Sequence, residues 1–507
     1  MFVKRLKHHL AQIHLFIEKF KQGYVSLGSL MLGNPDSSYD DFGLRKVIVA
    51  LSKHGSLYGI DSKSGKVIWQ KMTTCTKNGL SYLMPQRSAT HFGFEPILSL
   101  VCSVDPMSGF KGQILKLNPS NGHVHSEPRM IKSKITRAIL LHHATEDFVR
   151  PILVLTEGHG HELEPKDAGK VLKDISGKMF VANVDADNFG IHGLRILVND
   201  DNDLEMVPVW SFSSPNTKII HLATKSTDEI VHSQGRVMAD RSVLFKYLNP
   251  NLAFVLGEGK ESSSGKTFIN VYLLDLVTGR IIFSTNHKRV QGPYHVVHSE
   301  NWAVYTYFNE KSRRSELGSL ELFEGKSQSN STVFSSLHNS LSPLVERQAY
   351  ILAPSLVTAL KDTVTEKGIT TKNLLMATAT GSVYNIPRGY LDPRRPNMNT
   401  PPEMREPGLP HYIPELVFPP EVILNYNQSI AGISNIVTAP TGLESTSVVL
   451  VYGLDLYCSR VNPSKGFDLL KDDFDHYVIA SVLVGLTAAA YVTRKLSQRK
   501  MTYSAWK

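Results

Sequence analysis

The stretch Val271-Tyr-Leu-Leu-Asp275-Leu-Val-Thr-Gly279-Arg-Ile-Ile-Phe283 places an apolar segment on each side of a short connection that starts with aspartate and ends with glycine. An Asp or Asn side chain can hydrogen-bond the backbone of the turn that follows it, and glycine readily adopts the positive φ that closes a hairpin. The β-branched and aromatic residues around the connection suit half-buried strands. The stretch therefore predicts a β-hairpin.

The same hairpin pattern recurs, and it sets the predicted architecture. It is found in Ser56-Leu-Tyr-Gly-Ile-Asp61 with Gly65 and Lys66-Val-Ile-Trp69, and in Gln113-Ile-Leu-Lys-Leu-Asn118 with Gly122 and His123-Val124. Further strand pairs are predicted at 374–379 with 382–386 and at 448–452 with 456–461. Long helical periodicity is absent between 45 and 465, so we predict an all-β propeller of roughly seven or eight blades, complete or incomplete, over this region. An array of β-sandwiches is the alternative, and it would repeat one hairpin type less regularly.

Proline interrupts the strand pattern once. Residues 393–420 contain nine prolines, including Pro401-Pro402 and Pro419-Pro420. Proline removes a backbone donor and disfavours both helix and central strand. We therefore expect an extended crossover that is ordered by packing within the propeller.

Residues 477–493 carry no charged side chain, and at about 1.5 Å per residue a helix of this length spans roughly 25 Å. A buried soluble helix would have the same length, but acidic residues up to Asp475 precede the run and Arg494 and Lys495 follow it. The positive-inside rule then places the basic tail, 494–507, in the cytosol and the body in the lumen. The sequence predicts a single-pass type I transmembrane helix.

Small side chains recur along this predicted helix. Ser481, Gly485 and Ala489 follow at intervals of four residues and share one face, which would let another helix approach closely. Chance in an alanine-rich segment is the competing explanation. Asp475 is interpreted either as a charge that sets the topology or as half of an ion pair with a partner subunit.

The other end of the chain predicts a second membrane contact. Residues 1–24 show apolar residues at helical spacing with basic residues on the remaining faces, which is typical of an amphipathic helix in a membrane interface. Packing against the protein's own body is the alternative. Because no uninterrupted apolar core follows the basic residues, the segment does not fit a signal peptide. We expect the chain to be the C-terminal part of a longer protein.

Charge and cysteine content narrow the possible partners. The net charge of +9 comes from the two ends, and the body is formally neutral, which argues against nucleic acid and favours anionic membrane lipid. The three cysteines, Cys75, Cys102 and Cys458, exclude a dense disulfide framework. A single bridge between Cys75 and Cys102 and three free thiols remain equal alternatives. Asn330 and Asn427 begin glycosylation sequons, which suits a lumenal body.

The sequence does not predict an enzyme, a cofactor or a metal site. His159-Gly-His161-Glu162 could supply metal ligands, but a solvated glycine-rich loop explains it as well. Val231-His-Ser-Gln-Gly-Arg236 and His295-Val-Val-His-Ser-Glu300 contain paired histidine and acidic residues suited to acid–base chemistry. Hydrogen bonds that fix turns are the interpretation we prefer for both.

The recurring hairpin, with its terminal tryptophan, resembles pyrroloquinoline-quinone-type propeller repeats. A closer resemblance begins near residue 229 and is carried by five motifs and the terminal helix. The motifs are Val231-His-Ser-Gln-Gly-Arg-Val-Met238, His298-Ser-Glu-Asn-Trp302, Leu391-Asp-Pro-Arg-Arg-Pro396, Tyr452-Gly-Leu-Asp455 and Phe467-Asp-Leu-Leu-Lys-Asp-Asp473. They resemble the membrane-proximal region of the family of subunit 1 of the endoplasmic reticulum (ER) membrane protein complex.

This resemblance implies a structural subunit of a membrane insertase and chaperone. Its expected partners are the other subunits of the complex, membrane lipid and client proteins, which are tail-anchored or multi-pass. Two rivals from other classes are a membrane-bound quinoprotein oxidoreductase, which would carry adjacent cysteines that this chain lacks, and the lumenal ectodomain of a stress sensor. Only a short tail follows the anchor, which leaves the sensor without an output domain.

Overall fold

The computed structural model describes residues 42–77, 79–89, 94–105, 109–185, 187–214, 216–262, 264–328, 342–352, 355–468 and 476–506. The amphipathic helix predicted at 1–24, Asp475 and Asn330 lie outside these residues. The described chain divides into two compact units, one that ends at Pro463 and one that begins at Ser464.

The first unit consists of antiparallel sheets that follow one another in chain order. Sheet 1 contains β1 (Val47–Leu51), β2 (Ser56–Asp61) and β3 (Val67–Met72), and sheet 2 contains β4 (Ser81–Arg87), β5 (Ile97–Ser103), β6 (Gly112–Leu117) and β7 (Arg129–Ile131). Sheet 3 contains β8 (Ile135–Leu140), β9 (Ile152–Thr156) and β10 (His161–Glu164), and sheet 4 contains β11 (Met179–Val184), β12 (Gly190–Val198) and β13 (Leu204–Ser213).

The second half of this unit contains the largest sheet, with six strands, and the one departure from strict chain order. Sheet 5 contains β14 (Thr217–Thr224), β17 (Leu252–Lys260), β18 (Thr267–Asp275) and β19 (Ile281–Lys288). Sheet 6 contains β20 (Val290–Ser299), β21 (Trp302–Asn309), β22 (Arg314–Gly325) and β23 (Leu344–Ile351), joined by β15 (Gly235–Val237) and β16 (Val243–Lys246). Sheet 7 contains β24 (Val357–Asp362), β25 (Leu374–Thr378) and β26 (Val383–Ile386), and sheet 8 contains β27 (Asn435–Pro440), β28 (Ser447–Tyr452) and β29 (Leu456–Val461).

Apolar side chains fill the space between each sheet and the next. Clusters of buried residues join sheets 1 to 8 in order, represented by Leu57 with Leu100, Ile114 with Ile152, Leu155 with Leu194, Ile191 with Val255, Phe254 with Tyr305, Leu317 with Met376, and Ala377 with Val449. Sheets that pack face to face in sequence are the architecture of a β-propeller, which confirms the predicted fold. The number of blades stays a prediction, because within the described residues no strand ladder joins sheet 8 to sheet 1. The two ends do meet, since Gly442 N donates a 2.7 Å hydrogen bond to the carbonyl oxygen of Phe42.

The recurring turn has the expected geometry. In all three hairpins the glycine N–H donates to the carbonyl of the Asp or Asn four residues earlier, and the glycine φ lies between 68° and 72°; the pairs are Asp61 with Gly65, Asn118 with Gly122, and Asp275 with Gly279. The Asp275 carboxylate also accepts the backbone N–H of Val277 at 2.8 Å. One predicted strand is wrong. Val124 makes only an isolated bridge to Leu117, and the strand that pairs with β6 starts at Arg129, because polar residues and Pro128 follow Val124.

A tryptophan locks two of these turns to the preceding sheet. Trp69, on β3, donates its indole N–H to the Pro119 carbonyl at 2.9 Å. Its ring lies so close to Gly122 that a Cβ on this residue would be only 2.7 Å from a ring atom. Trp210, on β13, donates its indole N–H to the Leu276 carbonyl at 2.7 Å, and a Cβ on Gly279 would lie 2.7 Å from its ring. The terminal tryptophan of the repeat therefore connects neighbouring sheets, and glycine is required at the turn for space as well as for φ.

Cys75 and Cys102 form a disulfide, which resolves the two alternatives for this pair, and Cys458 is a free thiol. The bridge ties the connection after β3 to β5. A cross-link of this kind restricts the unfolded chain and stabilises small loop-rich regions.

Short helices lie in the connections, and one long helix forms the second unit. The short ones are the 3₁₀ turns Glu157–His159, Lys166–Ala168, Lys173–Ile175, Arg388–Leu391, Pro402–Met404 and Pro420–Val422, and α1 (Gly169–Leu172). The proline-rich stretch runs along β23, where Leu416 N donates to the Ile351 carbonyl at 2.9 Å and Ile351 N donates to the Pro414 carbonyl at 2.7 Å. The long helix, α2, spans His476–Ala505.

Candidate functional site

The connection between β14 and β17 leaves its own sheet and joins another. After Thr224 the chain crosses the ends of several sheets before β15 and β16 form a hairpin on sheet 6, where Lys246 pairs with Phe323 of β22. We call residues 225–230 the crossing segment. It contains part of the region in which the sequence resemblance begins.

On one side, the crossing segment is attached to sheet 3. Arg150 donates to the Asp228 carboxylate at 2.5 Å and to the Thr227 hydroxyl at 3.2 Å, and His142 lies 3.0 Å from Asp228. Just before the segment, Arg137 of β8 reaches Thr224 at 2.9 Å. Sheet 4 separates sheets 3 and 5 in the chain order, so these contacts span across it.

On the other side, the crossing segment is attached to sheets 6 and 7 through Glu229. Its carboxylate accepts the Ser299 hydroxyl at 2.6 Å and the Glu300 backbone N–H at 2.8 Å, both in the turn between β20 and β21. Lys372, just before β25, lies 3.0 Å from the same carboxylate. One carboxylate thus holds two sheets to the segment.

Glu300 completes this cluster. It is 4% exposed, has a φ of 44°, and accepts Lys246 at 3.0 Å and the backbone N–H of His232 at 3.0 Å. Lys372 lies 3.9 Å from it. We call Glu229, Glu300, Lys246 and Lys372 the lysine–glutamate cluster. Its two positive and two negative charges balance, which is the condition under which buried charges are tolerated.

Burial shifts the pKa of several groups around this cluster. Desolvation raises the pKa of Glu229, but Lys372 and the Ser299 hydroxyl outweigh it, so the net pKa lies below the usual range. Burial lowers the pKa of the Lys225 ammonium to about 8, and this ammonium donates to the Asn249 carbonyl at 2.6 Å. Burial, assisted by the Lys225 charge, lowers the pKa of His298 to about 3. At neutral pH Glu229 is therefore ionised and His298 is neutral, whereas the Lys225 ammonium has a pKa close to neutral.

A second charged cluster holds the proline-rich crossover to the same sheet. Arg236 pairs with Asp392, which is 1% exposed, and its Nε lies 3.6 Å from the Glu406 carboxylate. Glu406 also pairs with Arg394. We call these four residues the arginine cluster. It joins the β15–β16 hairpin to the crossover, which are far apart in sequence.

Aromatic rings support the guanidinium groups of Arg388, just before the crossover, and of Arg394 and Arg395 within it. Arg388 lies 4.9 Å above the Trp302 ring, Arg394 lies 5.1 Å above Phe323, and Arg395 lies 5.6 Å above Tyr350. Tyr350 in turn donates its hydroxyl hydrogen to the Asp392 carbonyl at 2.7 Å. Cation–π contacts of this kind are each worth about 0.5–2 kcal/mol. Sheet 6 is therefore the place where both long connections are fixed.

The residues with possible chemistry serve these structural contacts. His161 contacts the Leu204 carbonyl at 2.8 Å, and Glu162 pairs with Arg129. His295 contacts the Val357 carbonyl at 3.0 Å, which joins sheets 6 and 7. Within the ranges that the structure describes, no group of three His, Cys, Asp or Glu side chains is placed to hold a metal ion.

Helix α2 contains the other predicted site residues. Ser481, Gly485 and Ala489 lie on one face of its first half, and a Cβ built on Gly485 meets no atom within 4 Å. Arg494 and Lys495 lie within the helix, which continues past the predicted anchor without a break. Among the described residues this is the helix long and apolar enough to cross a membrane. Asn427 is exposed in the connection before β27.

Comparison with known proteins bears on these observations directly. The family described as "ER membrane protein complex subunit 1, second beta-propeller" matches residues 43–464, which comprise nearly all of the first unit.

The chain belongs to this family.

Relatives named ER membrane protein complex subunit 1 match most of the chain. The protein of that name from Gallus gallus is 40% identical over 92% of this chain and 47% of its own length, and that from Xenopus laevis is 41% identical over the same shares. The Saccharomyces cerevisiae protein is 25% identical over 96% of this chain and 64% of its own length. The chain thus spans about half the length of the vertebrate relatives that it matches.

The sequence of this subunit 1 family member identified the motifs, but it did not predict the contacts that bring them together. The Val231–Met238, His298–Trp302 and Leu391–Pro396 motifs converge on sheet 6 through His232, Glu300, Arg236 and Asp392. Lys372 and Glu406, which complete the two clusters, were missed. An acidic or basic residue next to an apolar strand was the available signal, and it is too common to point to a buried pair.

Proposed function

We propose that this chain is a non-catalytic scaffold subunit of the ER membrane protein complex. Its propeller lies in the lumen, α2 crosses the membrane, and the C-terminus lies in the cytosol. In this role it supports the insertion of tail-anchored and multi-pass membrane proteins by holding partner subunits in place. The observation that carries the proposal is the family membership of the whole propeller together with an apolar helix directly after it.

The polar contacts of the propeller support a structural role. Within the lysine–glutamate cluster and within the arginine cluster, the charged side chains pair with one another and with backbone groups. Buried pairs of this kind cost desolvation energy, and they fix one arrangement of the chain rather than perform chemistry. A rigid body with its long connections tied down is suited to present fixed surfaces to several partners.

Three features support the lumenal orientation of the body. Disulfides such as Cys75–Cys102 form and persist in oxidising compartments, and the ER lumen is one. Asn427 is exposed and can accept a glycan. Arg494 and Lys495 follow the apolar part of α2, on the side that the positive-inside rule assigns to the cytosol.

Partner contacts in the membrane would use the small-residue face of α2. Ser481, Gly485 and Ala489 allow a neighbouring helix to approach its backbone, which favours packing in lipid. Asp475 would pair with a cation of a neighbouring subunit near the lumenal surface. The segment 1–24 would lie in the interface and brace the body.

A pull-down of the tagged full chain from ER membranes in mild detergent tests the proposal. Recovery of a stable set of membrane-spanning partners is expected, together with lower insertion of a tail-anchored client in membranes depleted of the chain. Recovery of the chain without partners, or unchanged client insertion after depletion, would contradict the scaffold role.

A further inference from the structure

Helix α2 is longer than a membrane requires. It contains 30 residues, about 45 Å at 1.5 Å per residue. A hydrocarbon core of about 27–30 Å takes roughly 18–20 of them. If the apolar residues 477–493 occupy the core, more than two turns of rigid helix extend through the headgroup layer on the C-terminal side. This step rests on the membrane-spanning role proposed above.

The extension is basic and has no acidic residue to balance it. Arg494, Lys495, Arg499 and Lys500 lie in it, and the sequence from 476 to 507 contains neither Asp nor Glu. None of the ion pairs found among the described residues involves these four side chains. Their charge is therefore available to a ligand from outside the chain.

Two of the four side chains share one face. Lys495 and Arg499 are separated by four residues in a continuous helix, and like charges at this spacing destabilise an isolated helix. Side chains of a helix tilt toward its N-terminus, which here is the membrane. Lys495 follows this rule, because its Nζ lies 5.6 Å above the ring of Tyr491. Arg499 begins about 6 Å further out and tilts back by the same rule, so both cations lie near the boundary between the apolar segment and the headgroups of one leaflet.

We infer that the last turns of α2 bind the anionic phospholipid headgroups of a bilayer, with Lys495 and Arg499 on either side of one phosphate. An anion between the two cations removes their repulsion, and anionic lipid is the anion available at that depth. Arg494 and Lys500 point to other sides of the helix and attract further headgroups.

The test measures lipid selectivity with the full chain in bilayers of phosphatidylcholine that contain phosphatidylserine at a molar fraction of about one fifth. The readout is the association of spin-labelled phosphatidylserine relative to spin-labelled phosphatidylcholine. We expect the native chain to prefer phosphatidylserine. In the double variant Lys495→Gln/Arg499→Gln, this preference should fall roughly fivefold for each residue changed. High salt should also weaken it, because the charges are exposed.

A double variant with the same change in charge, Lys53→Gln/Lys311→Gln, is the control, since both lysines are exposed on the propeller. Equal selectivity in the native chain and the Lys495/Arg499 variant, or an equal loss in the control, would overturn the inference. Extraction with alkaline carbonate separates the two proposals. A chain that resists extraction but shows no selectivity contradicts only the lipid site, whereas a chain that is extracted contradicts the membrane-spanning role as well.

Discussion

The indole nitrogen of Trp210 donates a 2.7 Å hydrogen bond to the carbonyl oxygen of Leu276, 66 residues further along the chain. Trp69 and Pro119 have the same relationship between the first two sheets. In both cases the ring covers the glycine of the next hairpin. The repeat therefore specifies how sheets stack as well as how each hairpin turns.

Replacing Gly279 with alanine should destabilise the propeller strongly. The new Cβ would lie 2.7 Å from the Trp210 ring, and the φ of 71° is already unfavourable for alanine. Strain and overpacking together predict a loss of about 2–5 kcal/mol. Thermal unfolding of the full chain in mild detergent, followed by tryptophan fluorescence, measures it.

Gly65→Ala is the matched control, because Gly65 occupies the same turn position with a φ of 68° and nothing within 4 Å of its Cβ. It should lose only the strain of about 1–2 kcal/mol. Equal losses at Gly65 and Gly279 would show that tryptophan packing contributes nothing.

Breaking the arginine cluster should cost more than breaking a surface ion pair. Arg236→Gln leaves Asp392, which is 1% exposed, without its cation, and we expect a loss of about 3–5 kcal/mol. Arg314→Gln is the control, since Arg314 and Glu415 are 42% and 52% exposed and should lose about 0–1 kcal/mol. Denaturant unfolding of both variants measures these losses in the free energy of unfolding. A loss at Arg236 no larger than that at Arg314 would refute the role of the cluster.

Acid should destabilise the propeller through His298. Its pKa is about 3 in the folded chain and near 6.5 when unfolded, so between these values the unfolded state binds the extra proton. The contribution of His298 to the free energy of unfolding is therefore fully present above pH 6.5. It falls by about 1.4 kcal/mol per pH unit as the pH drops toward 3. Unfolding measured across this range should show the slope.

His298→Asn should flatten that slope, because asparagine can still donate to the Ala223 carbonyl but does not titrate in this range. The exposed His123→Asn is the control and should leave the slope as it is. An unchanged pH dependence in the His298 variant would mean that other groups cause the acid sensitivity.

Added bulk on the small-residue face of α2 should weaken assembly. Ala489→Ile lies on the face with Ser481 and Gly485, whereas Ala490→Ile makes the same change about 100° around the helix. Co-purification of membrane partners should fall several-fold for Ala489→Ile and for Gly485→Ile, and stay normal for Ala490→Ile. Equal recovery from Ala489→Ile and Ala490→Ile would remove this face from the proposed contacts.

The local parts of the fold could be predicted because their determinants are adjacent in sequence. Asp275 and Gly279 define a turn by themselves, and the strands on both sides follow from residue type. The strand predicted after Gly122 failed because its pairing depends on Arg129, beyond a proline that the hairpin pattern does not include.

The clusters could not be predicted because their members come from distant parts of the chain. Lys372 meets Glu229 from 143 residues away, and nothing near either residue indicates the other. The polar stretches at 231–236 and 295–300, expected to fix turns, make hydrogen bonds between distant elements, such as the one from His295 to the Val357 carbonyl. Which sheets they join depends on how the sheets pack on one another, and residues close together in sequence do not determine this packing.

The distance between Arg236 and Asp392 has a consequence for biosynthesis. The two residues are 156 positions apart, which at about 5–20 residues per second corresponds to about 8–30 s of translation. Throughout that interval the nascent β15–β16 hairpin has a cation whose counter-ion has not yet been made. Sheet 6 can therefore acquire its final form only late in synthesis, and the growing chain must be protected from misassembly until the proline-rich crossover has emerged.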